Sequence, residues 1–291
     1  GALNQTISSL SSSGTGTANA IVGGNATNSS LTINQVVDTT FAGNLGGAGT
    51  NENNLNLVKT GIGTVTVSGN ATYDGPTTVS NGKLVLNGTH DLDGAITVGA
   101  ASELRIQGAG LLGASSGSTV TVADGGSFIL NHGSTNQTFS GTGNVLTLNQ
   151  STLTTQLGFG LSGATSDRIT LGAGQTLSAT GLIDTVIVVG SAPTVLTDRG
   201  YLLIDTAADG AFTGTGSFQI GAIENAGNFI YNVAREVTLS GNDQLFLTVT
   251  ANTTPPPADA WWKGDLTGPA AGSWTAVQLG GAGNWDASEM G

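Results

Sequence analysis

The chain has 291 residues, of which 47 are glycine, 38% are hydrophobic and only 9% are charged. Nineteen acidic against seven basic residues give a net charge of −12, and no cluster of Lys or Arg interrupts it. Phosphate backbones and anionic membrane surfaces are therefore disfavoured as partners, and the absence of cysteine removes thiolate metal sites and cysteine nucleophiles.

The chain opens in mid-pattern with GALNQTISSL and reads as a mature or excised segment. The most informative stretch is Leu55 to Gly88, which holds four short apolar pulses separated by Gly, Asn, Asp or Pro. Within it Val65 and Val67 alternate with Thr64, Thr66 and Ser68, the pattern of a strand with one buried face.

The pulses recur along the chain. One series runs Val65, Leu84, Leu104, Phe128, with steps of 19, 20 and 24 residues; a second runs Val79, Val98, Val122, Leu148, with steps of 19, 24 and 26. Steps of this size mark a solenoid, although a sandwich also spaces its strands regularly. Scarce Lys and Glu, recurrent Gly-rich corners, and Asn and Thr placed where stacked windings would align them favour the solenoid. The pattern predicts about eleven windings over residues 1–250, a body on the order of 50 Å long.

His90, Asp91 and Asp93 follow in HDLDG, with Arg105 about one winding later. Two carboxylates at i and i+2 with a basic residue nearby suit a polysaccharide-active groove, by lyase or hydrolase chemistry. The same residues also make a tight turn, since Asp and Gly tolerate its backbone angles. His132 in NHGS reads as a surface loop residue, and Asp167 with Arg168, or Asp198 with Arg199, as local ion pairs.

Beyond Gly160 the strands lengthen and the aromatics Tyr201, Phe212, Phe218, Phe229, Tyr231 and Phe246 gather as core or as closure of a solenoid end. The longest apolar run, Thr185 to Val189, is far too short to span a bilayer as a helix. Three prolines in Thr253 to Ala258 break the pattern and donate no ladder bonds. The expected organisation is a β-helix domain over 1–250, a Pro-rich linker over 251–258, and a tail over 259–291. That tail holds Trp261, Trp262, Trp274 and Trp285, which read as assembly or docking residues, or as a platform for sugar faces. No HExxH, Walker or EF-hand loop occurs.

Leu55 to Gly88 resembles the autotransporter-associated β-strand repeat. The likeness is carried by LVKTGIGT at Leu57 to Thr64, VSGNATY at Val67 to Tyr73, GPTTV at Gly75 to Val79 and GKLVLNG at Gly82 to Gly88. TTFAGNLGG upstream resembles the lead-in to such repeats, SDRITL and Gly200 to Asp205 resemble downstream passenger regions, and the WWKGDLTG tail resembles modules that follow them. The resemblance implies a right-handed parallel β-helix, all-β, carried to the bacterial cell surface or beyond as a passenger. The expected role is a non-catalytic stalk, fibre segment or adhesin scaffold with no cofactor and no metal. Its expected partners are further copies joined end to end, or surface glycans, and no segment of it is expected to span a membrane.

Overall fold

The computed structural model describes residues 2–13, 19–108, 110–112, 118–132, 134–139, 141–197, 199–206, 212–237, 243–253, 261–262 and 285–286. The chain divides into two compact units, Gly1–Thr250 and Ala251–Gly291.

Alternation builds the first unit. In Leu55–Thr60 the side chains of Leu55, Leu57 and Lys59 are buried while Asn56, Val58 and Thr60 are half-buried. Thr64–Val67 repeats the pattern with Val65 and Val67 inside. No single winding can cover this apolar face, so each is completed by the windings above and below it.

The windings visit three sheets in a fixed order. The first sheet is nine strands in chain order, from Asn4–Ile7 through Ser29–Asn34, Leu55–Thr60, Thr77–Val79, Ile96–Val98, Val120–Val122, Gly143–Asn149 and Gln175–Thr180 to Phe212–Thr213. The second runs from Thr39–Phe41 through Thr64–Val67, Gly82–Leu86, Ser102–Ile106, Ser127–Leu130, Gln156–Ser162 and Leu182–Ser191 to Ser217–Glu224. Every pair along both paths is parallel. The third side is assembled from shorter pieces, among them Ala20–Ile21 with Asn44–Leu45, His90–Leu92 with Gly110–Leu112, and Asn136–Thr138 with Arg168–Leu171. Where the ladder skips from Gly110–Leu112 to the next winding, the Gln137 side chain replaces it. Its Oε1 accepts the Leu112 N–H at 3.1 Å and its Nε2 donates to the Leu112 carbonyl at 2.9 Å.

This is an all-β parallel β-helix, as the spacing predicts. Val65, Leu84, Leu104 and Phe128 are successive register partners in the second sheet, and Val79, Val98, Val122 and Leu148 in the first. All eight are fully buried, and each burial contributes about 1.5–3 kcal/mol. The winding count differs from the expected eleven. Among the described residues the first sheet has nine rungs, about 40 Å along the axis, because windings range from 19 residues between Thr77 and Ile96 to 35 between Leu177 and Phe212.

One corner, between the second and third sheets, is a file of glycines. A Cβ on Gly69 would sit 2.2 Å from the Gly43 carbonyl oxygen, one on Gly88 2.0 Å from that of Gly69, and one on Gly108 1.8 Å from that of Gly88. The stacked backbones leave no room for any side chain.

The last winding breaks the parallel rule. Tyr201–Thr206 pairs antiparallel with Asp243–Ala251, which also pairs with Phe229–Val237. Tyr201, Phe212 and Tyr231 belong to the core, and Phe218 and Phe229 pack against it, whereas Phe246 is buried outside it beneath the Arg199 guanidinium. All but Phe246 of the aromatics expected at a solenoid end therefore serve the core here.

In the second unit, Trp261–Trp262 pairs antiparallel with Trp285–Asp286. Trp274 and residues 254–260 lie outside the described residues.

Candidate functional site

The residues that suit a polysaccharide-active groove fall on different sheets. Asp91 lies in His90–Leu92 of the third side, whereas Arg105 lies in Ser102–Ile106 of the second sheet. Asp91 and Asp93 instead share a corner with Asp74, whose carboxyl is pushed up by partial burial and by the two neighbouring negative charges. His90 points inward beside Leu92 and is buried. Among the described residues no group of three or more His, Asp or Glu side chains is placed to hold a metal ion.

Arg105 belongs to a charged chain on the outer face of the second sheet. Its Nε donates to Glu103 at 2.6 Å, and Lys83 on the preceding rung also meets Glu103, at 2.7 Å. Its two terminal nitrogens donate to Glu224, at 2.9 and 2.6 Å. Glu224 and Glu103 hold the guanidinium more firmly protonated than usual, and Arg105 in turn holds the Glu224 carboxyl below the usual carboxylate range. Ile129, Val186 and Val188 on this outer face form an apolar cluster separate from the main core, and each is buried. Gly158 leaves space among them, since a Cβ there would meet Ile129 Cδ1 at 2.4 Å. The Glu103–Arg105 spacing marks a shared strand face in the sequence, but nothing local points to Glu224.

The lysine of the KTG motif is a structural corner. Lys59 continues the inward positions of its strand, and its Nζ donates to the carbonyls of Thr60, Gly61 and Asn81 at 2.8, 2.8 and 3.2 Å. Burial pushes its ammonium down from the usual lysine range, partly offset by the Asp38 charge. One winding earlier Gln35 does similar work, donating to Val37, Thr39 and Thr64 and accepting the Leu10 N–H at 3.0 Å. Asp124 is the surface counterpart: it accepts the backbone N–H groups of Ser151, Thr152 and Leu153, and the hydroxyls of Ser151 and Thr152. These bonds hold its carboxyl well below the usual range.

Two expectations about charged residues are corrected. His132 is not a free loop side chain, because both its ring nitrogens are shielded from solvent. Asp167 does not pair with Arg168. It is buried and accepts the backbone N–H groups of His132, Thr135 and Gly160 at 2.6, 2.8 and 3.1 Å, while Arg168 Nε donates to Asn136. Arg199 meets Glu236 at 3.8 Å, with both side chains nearly half exposed; Asp198 lies outside the described residues.

The outer face of the first sheet carries no charge where it is most regular. Thr78, Thr97, Thr121 and Thr147 are successive register partners pointing outward between buried neighbours. In the tail, Trp262 is the register partner of Trp285 and Trp261 of Asp286.

No curated protein matches the chain. Residues 57–86 match the family described as the passenger-associated-transport-repeat. Those residues span one full winding and the start of the next, hold the Lys59 corner, and carry the autotransporter passenger repeat that Leu55 to Gly88 resembles.

Proposed function

We propose that this chain is a non-catalytic rod of a secreted or surface-displayed bacterial passenger, serving as stalk, fibre segment or adhesin scaffold. The observation that carries this reading is the parallel pairing of nine successive rungs, among the described residues, over a continuous core. Such a body resists bending and proteolysis because its ladder bonds and its core run along one axis. The passenger repeat at residues 57–86 supports the same role and location.

Copies join end to end in this reading. Among the described residues, Asn4–Ile7 is the edge strand of the first sheet at the first winding, and Phe212–Thr213 and Ser217–Glu224 are the edge strands of the first and second sheets at the other end. Unpaired edges are templates for a further strand, and the Trp-rich tail docks a neighbour or a surface glycan. The test is imaging of purified protein by negative stain alongside sedimentation over a range of concentrations. Rods that lengthen in units of one chain support the proposal, and compact monomers at every concentration overturn the assembly step. Binding on a glycan array that Trp262→Ala abolishes assigns the tail to sugars.

A further inference from the structure

Two imidazoles from windings well separated in sequence meet inside the wall of the solenoid. The His90 and His132 ring centroids lie 5.7 Å apart with a 39° tilt. His90 is 1% exposed, its Nδ1 is 3.2 Å from the Gly88 carbonyl oxygen, and its Nε2 is buried with no hydrogen-bond partner. Both ring nitrogens of His132 are likewise shielded from solvent, with the Gly108 carbonyl beside the ring. The glycine file explains how the rings meet: Gly88 and Gly108 put only backbone at this corner, and Gly110, the register partner of His90, has no side chain to intervene.

The charged and polar groups around the pair are unevenly placed. On the His132 side lie Asp167, whose carboxylate accepts the His132 backbone N–H, and the Gly108 carbonyl; both favour a charged ring. On the His90 side there is the Gly88 carbonyl, while Asp91 follows on the opposite face of the strand. A proton on His132 has a carboxylate nearby. A proton on His90 has none and stands beside a second imidazole.

We propose that His90 and His132 form an acid-sensitive latch, closed while both rings are neutral and opened by their protonation, which releases the windings from Gly88 to Thr135. Opening frees the buried nitrogens to take up protons and to bond with water, the step that the closed wall forbids.

The pH window follows from the direction of the shifts. Burial pushes His90 from 6.5 down to about 4, and pushes His132 down as well. The opened chain binds protons between about 6.5 and 4 that the closed chain refuses. Closure is therefore fully stable above that window and weakens as pH falls through it. For His90 alone the opening equilibrium rises on the order of 100-fold between pH 7 and pH 4.

Hydrogen exchange of the full chain, read by mass spectrometry at pH 7 and pH 4.5 and corrected for intrinsic rates, tests the latch. Peptides covering residues 84–95 and 128–138 are expected to lose protection tens-fold more than peptides covering 55–67, and His90→Leu to remove most of that loss. Equal loss in all windings, or an unchanged loss in His90→Leu, overturns the proposal. Should His90→Leu fail to fold, histidine NMR titration of the unaltered chain decides: ring midpoints below 6.5 support the latch, and midpoints at or above 6.5 overturn it. Added Zn²⁺ that protects these windings at pH 7 would also overturn it, by making the buried nitrogens metal ligands.

Discussion

Arg105 donates two near-parallel N–H bonds to Glu224, a residue 119 positions later and four strands away in the second sheet. The sheet is therefore bridged on its outside as well as filled on its inside, and Ile129, Val186 and Val188 are buried on the bridged face. Arg105→Ala is expected to destabilise the rod by about 1–2 kcal/mol, a figure held down because Glu224 is partly open to solvent. Glu224→Gln should cost less than about 1 kcal/mol. Urea unfolding followed by circular dichroism reads both, and equal stability of Arg105→Ala and the unaltered chain would show that the bridge contributes nothing.

Lys59 joins two windings through three carbonyls. Lys59→Met keeps the length and apolar stem but leaves those acceptors without their donor. The expected cost is about 2–3 kcal/mol. Thermal unfolding should fall accordingly by about 5–10 °C, with Lys59→Arg recovering part of the loss.

Gly88→Ala tests the glycine file. The new Cβ meets backbone rather than a movable side chain, at 2.0 Å from the Gly69 oxygen. The ladder must shift to admit it, and a loss of about 2–4 kcal/mol is expected. Gly24→Ala, where a Cβ meets nothing, serves as the control, with an effect below about 1 kcal/mol.

Asp124 predicts a second acid transition distinct from that of the histidine pair. Its folded carboxyl titrates below the unfolded value, so its contribution is complete above about pH 4 and disappears as pH falls further. Asp124→Ala should lower the thermal midpoint at pH 7 and flatten the pH dependence below 4. The dependence between 4 and 6.5 should stay unchanged. A midpoint insensitive to the substitution at pH 7 would count against any clamp at this corner.

Much of the fold was legible because strand alternation and winding length are local properties. Val65, Leu84, Leu104 and Phe128 could be aligned from spacing alone, and they are register partners. The count of windings was not legible, since insertions at corners lengthen the later windings without disturbing the strands. The antiparallel placement of Asp243–Ala251 was hidden for another reason: strand direction depends on the partner, and nothing in QLFLTVT records it. His132 looked like a loop residue because it stands in a Gly turn. Its ring instead meets His90, 42 positions earlier, at a corner lined by stacked glycines. Arg105 was noticed for the wrong partner, as Asp91 is near in sequence and Glu224 is not.

The parallel ladders also bear on how the molecule is made. Each rung bonds to residues one winding back, at most 35 positions earlier in the first sheet, so a chain emerging from a narrow exit can reel itself up as it arrives. Loop closure stays short at every step, and no portion need wait for the far end. The Arg105–Glu224 bond is different: it fastens only after the last strand of the second sheet has been laid down, and so acts as a seal on a spool already wound.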